Sequence, residues 1–208
     1  MQSTTTPENP APPKSYNFSL DNMKNTKIFN NQPASPLYSV VTDVKSDKHT
    51  DIFDLRGNRL LARIDRRDIL PDTITFPYRN GGYSIYLSKW LQKSKLENGH
   101  HIHAIETALG TYVWKSDAEY RLALYRKGDM SKPVVHLQQG TRTQNFAVIM
   151  QGEAELIRDD VIVSFLMLEQ RLRISEKNID GLLSTGTNIV SATGTNLTDS
   201  NRRHLKAI

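Results

Sequence analysis

A chain of 208 residues, 38% of them hydrophobic, has room for one domain with unpacked ends. The absence of cysteine excludes disulfides, thiolate metal sites, a cysteine nucleophile and S-acylation. The 27 Lys and Arg against 22 Asp and Glu leave a formal charge of +5, scattered with no basic stripe and no interleaved aromatics, so the pattern speaks against nucleic acid as a partner.

Residues 1–15, MQSTTTPENPAPPKS, are rich in Thr and Pro and are expected to form a disordered tail. They lack the apolar stretch of a secretory signal, so an intracellular protein is expected, with the sequons at Asn17 and Asn196 unglycosylated. The domain is read as 16–174. Inside it, short alternating segments predict strands at 37–43, 49–55, 59–66, 72–76 and 82–87, then at 101–106, 111–115, 119–125, 133–138, 146–150 and 153–157. Gly57-Asn58 and Asn98-Gly99 read as hairpin turns, because both pairs adopt positive φ readily. In the last strand, Glu153 and Glu155 would face solvent and Ala154 and Leu156 the core. About a dozen short antiparallel strands at regular spacing predict a mainly β sandwich or barrel.

The segment RDDVIVSFLMLEQRLRI, 158–174, breaks the alternation. Val161, Ile162, Val163, Phe165, Leu166, Met167 and Leu168 surround a single polar residue, Ser164. On a helix, steps of ~100° spread these side chains around the whole circumference, and a helix apolar all round must be buried all round. Asp159 and Asp160 stand where an N-cap carboxylate would, and Arg171 and Arg173 suit a C-terminal end. From Asp160 to Arg173 such a helix would be about 21 Å long at ~1.5 Å per residue. Its burial would contribute on the order of 10–20 kcal/mol gross, an upper bound. A lone helix needing cover on every side, after so many strands, predicts a sheet wrapped around it. Residues 175–208, rich in Ser, Thr, Gly and Asn, are expected to be a flexible tail with a short helix near Ile179. The longest apolar run falls well short of the ~18 residues of a membrane span.

NTKIF (25–29), LYSVVT (37–42), HTDIFDLRGNRLLARIDRRDILPDTITF (49–76), TYVWK (111–115) and DDVIVSFLMLEQRLR (159–173) together resemble a predominantly fungal domain family of unknown function. That family is grouped with the tubby C-terminal-like and LURP-one-related domains. The resemblance spans about Phe18 to Arg173 and rests on Asn25-Thr26, Pro71-Asp72-x-Ile74, Tyr112-x-Trp114 and the terminal helix. It implies a closed β-barrel around a buried C-terminal helix. Tubby proteins proper bind phosphoinositides through particular basic residues, and no motif holding those residues maps onto this chain, so that role is fold-level analogy.

No phosphate-binding loop, zinc-protease, nucleophile-elbow or dinucleotide motif is present, and Gly81-Gly82 reads as a turn. His100, His101 and His103 invite a metal reading, but a hairpin arm after Asn98-Gly99 explains them as well; His49, His136 and His204 are isolated. No catalytic residue and no cofactor are therefore assigned. Arg66, Arg67, Lys89, Trp90, Lys93 and Lys95 form the candidate site, because an indole set among lysines suits an acidic lipid headgroup. The competing reading packs Trp90 in a short helical turn and leaves its lysines solvated. The expected function is a non-catalytic module binding an acidic headgroup or a protein partner. The alternatives are a scaffold acting through its tails and, behind it, an enzyme using metal at the histidines.

Overall fold

The computed structural model describes residues 12–30, 35–96, 99–116, 118–141 and 146–194, with side chains to 179 except Asn80. Residues 1–11, Asn98, Asn196 and His204, on which expectations were placed, lie outside them. The chain divides into two compact units, one ending at Met167 and one beginning at Leu168.

The first unit holds thirteen antiparallel strands among the described residues, all in one sheet. In chain order these are β1 (Lys14–Phe18), β2 (Thr26–Asn30), β3 (Tyr38–Thr42), β4 (His49–Asp54), β5 (Arg59–Asp65), β6 (Thr73–Thr75) and β7 (Ser84–Tyr86). After a single helical turn, α1 (Leu87–Trp90), come β8 (Leu91–Lys95), β9 (His101–Thr107), β10 (Gly110–Lys115), β11 (Ala123–Arg126), β12 (Val135–Gln138) and β13 (Ala147–Met150). Alternation drives the pairing: Tyr38, Val40 and Thr42 of β3 are buried, as are Thr50, Ile52 and Asp54 opposite them on β4. Asn58 takes φ 45° in the β4–β5 turn, the positive value expected there, and Gly99 takes φ 82°.

The strand order is β7-β6-β5-β4-β3-β2-β1-β13-β12-β11-β10-β9-β8. The chain begins mid-sheet, walks outward to β7, crosses to the opposite edge through α1, and returns inward until β13 pairs with β1. Laid flat, twelve spacings of ~4.8 Å would put the edges nearly 60 Å apart. Four helical residues span only ~6 Å. The sheet must therefore curl until its edges approach. It is not closed: β7 pairs only with β6 and β8 only with β9. Among the described residues the strands therefore form one curled sheet whose two edge strands do not pair with each other.

The buried run is helical. In α2 (Arg158–Gly194), Val161, Ile162, Val163, Ser164, Phe165, Leu166 and Met167 are at most 3% exposed. Phe165 lies 5.7 Å from Phe18, 6.0 Å from Phe146 and 6.2 Å from Trp114, ring centre to ring centre. In the second unit, which begins at Leu168, the helix continues past Arg173 to Gly194, so Arg171 and Arg173 sit inside it instead of at its end. Arg173 Nε donates to Glu169 Oε1 one turn back, at 2.7 Å.

Several local expectations are corrected. Residues 153–157 are not a strand but part of a 3-10 helix, Gly152–Ile157. Its three-residue repeat buries Ala154 and Ile157 and leaves Leu156 77% exposed. β1 begins at Lys14, inside the stretch read as a tail. β2 and β8 form where no strand was expected, while β11 occupies only the end of 119–125. The carboxylates of Asp159 and Asp160 do not serve as caps; they accept from Tyr38 and Arg79.

Candidate functional site

Two polar concentrations stand out in the first unit. One lies where α2 begins. Arg158 Nε donates to Tyr38 Oη at 2.8 Å and its Nη1 to Tyr16 Oη at 3.3 Å. The phenols pass their protons on: Tyr16 donates to Glu155 Oε1 and Tyr38 to Asp159 Oδ1, each at 2.6 Å. Lys14 pairs with Glu155 at 3.1 Å, Arg59 with Asp159 at 3.7 Å, and Arg79 with Asp160. Burial, reinforced by the bond to Glu155, pushes the Tyr16 phenol up to about 12. Burial and the Asp159 charge raise Tyr38 further. For Arg158, burial works against the charge, but the bonds to both phenols outweigh it and hold the guanidinium more firmly protonated. Burial lifts the Asp160 carboxyl, and Arg79 offsets part of that rise. A cavity of about 130 Å³ adjoins these residues, lined by Arg79, Arg158, Asp159 and Asp160 among others. The arrangement matches each acid to a cation and keeps both phenols protonated. It pins α2 to β1, β3 and β5 and offers no free base.

The second concentration is a cleft of about 390 Å³ where β6, β7 and α1 meet, lined by Arg67, Thr73, Ser84, Ile85, Tyr86 and Lys89. The chain is tied locally: Leu87 N–H donates to Asp72 C=O at 2.9 Å, and Asp72 Oδ1 accepts from the Arg67 N–H at 3.3 Å. Thr73 opposes Tyr86 in the β6–β7 ladder. The lining contains two cations and no carboxylate. Neither cation has an ion-pair partner among the described residues; Lys89 Nζ lies over the Tyr86 ring at 5.9 Å. The Thr73 hydroxyl is buried without a hydrogen-bond partner. Beside Arg67 the loop presents Ile69, 96% exposed, and Leu70, 59% exposed.

The structure divides the six residues singled out from the sequence. Arg67 and Lys89, 22 positions apart, line one cleft. Arg66 does not line it, and its Nη1 donates to Thr50 Oγ1 at 2.8 Å. Trp90 packs on Phe76 with ring centres 5.2 Å apart. Lys93 and Lys95 stand exposed on β8, opposite His103 and His101. Thr73, Ser84 and Tyr86 were missed, because nothing local marks short polar strand residues as a lining. The α2 cluster was missed too, although charges abutting a buried run imply partners for each of them.

Among the described residues no three His, Asp or Glu side chains converge as metal ligands. Partial desolvation and then the charges of Lys93 and Lys95 hold the His101 imidazole below its usual range. His49 meets Asp65 at 2.6 Å, and His136 is half-buried with its ring 4.9 Å from that of Tyr120. No helix among the described residues is long and apolar enough to cross a membrane.

The family model described as "Family of unknown function (DUF6593)" matches residues 21–174. The chain belongs to DUF6593. No curated protein and no solved structure matches it. The DUF6593 span holds β2 to β13 and the buried part of α2, together with the whole cleft. It begins after β1, the strand that joins the two halves of the sheet.

Proposed function

We propose that this DUF6593 domain is a non-catalytic module that binds the phosphorylated headgroup of an acidic lipid in the Arg67–Lys89 cleft. The observation that carries the reading is two cations, without an ion-pair partner among the described residues, lining a cleft that has no carboxylate in its lining. An uncompensated pair of cations attracts an anion of two or more charges, and a partly enclosed wall strengthens that attraction relative to open solvent. Arg67 supplies a planar fork of donors suited to phosphate and Lys89 a mobile point charge. Ser84 brings a hydroxyl to the lining, and Thr73 a second one with unspent bonding capacity. The lipid source, as opposed to a free phosphate, draws support from Ile69 and Leu70. An exposed aliphatic pair beside a basic cleft, with Tyr83 and Tyr86 also exposed, suits the boundary between headgroups and acyl chains.

We read the curled sheet as a tubby-like barrel left open between β7 and β8, with the cleft on the β6, β7 and α1 side of that gap. The support is the direct link of the two edge strands through α1 and the wholly buried stretch of α2.

Vesicle co-sedimentation tests the proposal. Phosphatidylcholine vesicles containing a phosphoinositide should sediment the protein, pure phosphatidylcholine vesicles should not, and binding should weaken as salt rises. R67A/K89A should remain folded and stay in the supernatant. Binding of soluble inositol phosphate without vesicle binding would assign the cleft to a free phosphate. Vesicle binding independent of lipid charge, or unchanged in R67A/K89A, would overturn the reading.

A further inference from the structure

The two edge strands differ. β7 is three residues long, whereas β8 presents Gln92, Lys93, Ser94 and Lys95, all exposed. The register shows which backbone groups of β8 are spent. Leu96 N–H donates to His100 C=O at 2.9 Å, and in an antiparallel ladder hydrogen-bonded pairs alternate with non-bonded ones. The bonded pairs are therefore Ser94 with Ile102 and Gln92 with Ala104, while Lys93 with His103 and Lys95 with His101 are not. The N–H and C=O of Lys93 and Lys95 point away from β9, and they have no backbone partner among the described residues. Leu91, which shares their phase, already gives its N–H to Leu87 C=O in the turn of α1. Lys93 and Lys95 also share a face, two residues apart, so their side chains repeat at ~6.8 Å.

We infer that the free edge of β8 receives an extended acidic peptide from a protein partner, added as a strand with carboxylates at alternate positions facing Lys93 and Lys95. The backbone groups of the two lysines provide the ladder, and their ammonium groups provide the choice of partner. Lysines on an edge also discourage strand pairing in general. Here that discouragement is selective: a second β8 would set lysine against lysine, and a neutral strand would gain nothing from the charges. A strand carrying Glu or Asp at every second position matches both the 6.8 Å repeat and the sign. This site is separate from the headgroup reading and does not depend on it, since Lys93 and Lys95 do not line the cleft.

Fluorescence anisotropy with the full chain tests it, using a labelled peptide of sequence TETEVET and a control of the same composition with its glutamates contiguous. The alternating peptide should bind about tenfold more tightly than the control, and K93Q/K95Q should lose about tenfold. K93P, which removes an outward N–H that β9 does not use, should weaken binding further than K93Q does. Should K93P fail to fold, the peptide itself carries the same test. N-methylation on alternate residues in one phase, which blocks the ladder, should abolish binding, and methylation in the other phase should not. Equal binding of the two peptides, no binding at all, or indifference to both methylation phases would overturn the proposal. So would a dimer of this chain that K93P dissolves in sedimentation velocity, because the occupant would then be a second copy.

Discussion

The indole N–H of Trp114, on β10, donates to Ser164 Oγ, on α2, at 2.9 Å, and both residues are at most 1% exposed. Ser164 in turn donates to Asp160 C=O at 2.6 Å, one helical turn back. The one polar residue in the apolar run thus satisfies a buried donor from the sheet while disposing of its own proton inside the helix. Apolar contact is indifferent to rotation about the helix axis. This bond is directional, and it selects one rotation and one depth for the helix.

Removing the acceptor should therefore cost more than one ordinary hydrogen bond. S164A leaves the Trp114 N–H buried and unsatisfied and should destabilise the domain by about 1–3 kcal/mol in urea denaturation. Against W114F, which removes the donor, the serine should matter less. A double-mutant cycle should show a coupling on the order of 1 kcal/mol.

The Arg79–Asp160 pair carries a dependence on pH. Asp160 is buried and its carboxyl already lies above its ordinary range, with Arg79 holding it down. R79A should destabilise the domain at neutral pH by about 1.5–3 kcal/mol, because a charge is left without its partner. In that variant Asp160 rises further. The folded state then binds a proton that the unfolded state does not, so stability should increase as pH falls through the folded value towards the unfolded one. R79A/D160N should be more stable than R79A at neutral pH and should lose that gain on acidification.

Alkaline titration tests the other side of the cluster. Tyr16 is pushed up to about 12 and Tyr38 further, against 10 for a free phenol. A group raised on folding contributes stability in full below its unfolded value and loses it as pH climbs to the folded value. Between about pH 10 and 12 the unfolded chain releases protons that the folded chain keeps, so stability should fall with rising pH. Y16F/Y38F should show a shallower fall over that interval, read from urea midpoints at each pH.

Strand β1 should be indispensable although it precedes the family span. It pairs with β2 on one side and β13 on the other, and it buries Tyr16 and Phe18. A fragment beginning at residue 21 keeps everything DUF6593 covers but lacks the strand between the two halves of the sheet. It should fail to show the cooperative urea transition of the full chain, and circular dichroism with near-ultraviolet signals would detect the loss.

Legibility in the sequence followed burial on one face. β3 and β4 alternate cleanly, β4 and β5 flank a Gly57-Asn58 turn, and the structure places all three strands within a residue of the expected bounds. The α2 run was legible for the opposite reason, since eight residues with one polar member fit neither a half-buried strand nor a surface helix. β8 was illegible because an edge strand here buries only Leu91. β1 was hidden by its setting, with two buried residues at the end of a Pro-rich stretch. Residues 153–157 alternate by composition, yet the repeat of three that buries Ala154 and Ile157 decides their conformation. In the candidate site, Arg66 and Arg67 are neighbours just past β5, yet Arg66 bonds to Thr50 of β4 while Arg67 lines the cleft, a division that adjacency in sequence does not reveal. Arg67 and Lys89 meet only through the β6–β7 pairing, a long-range event with no local signature.

The central structural claim is that the run from Val161 to Met167 is a helix enclosed as the core of the first unit, and native-state hydrogen exchange tests it most directly. The amides of 161–167 should exchange only through global unfolding, with opening free energies equal to the stability from urea. Exchange of these amides through local opening, at free energies well below that stability, would contradict it.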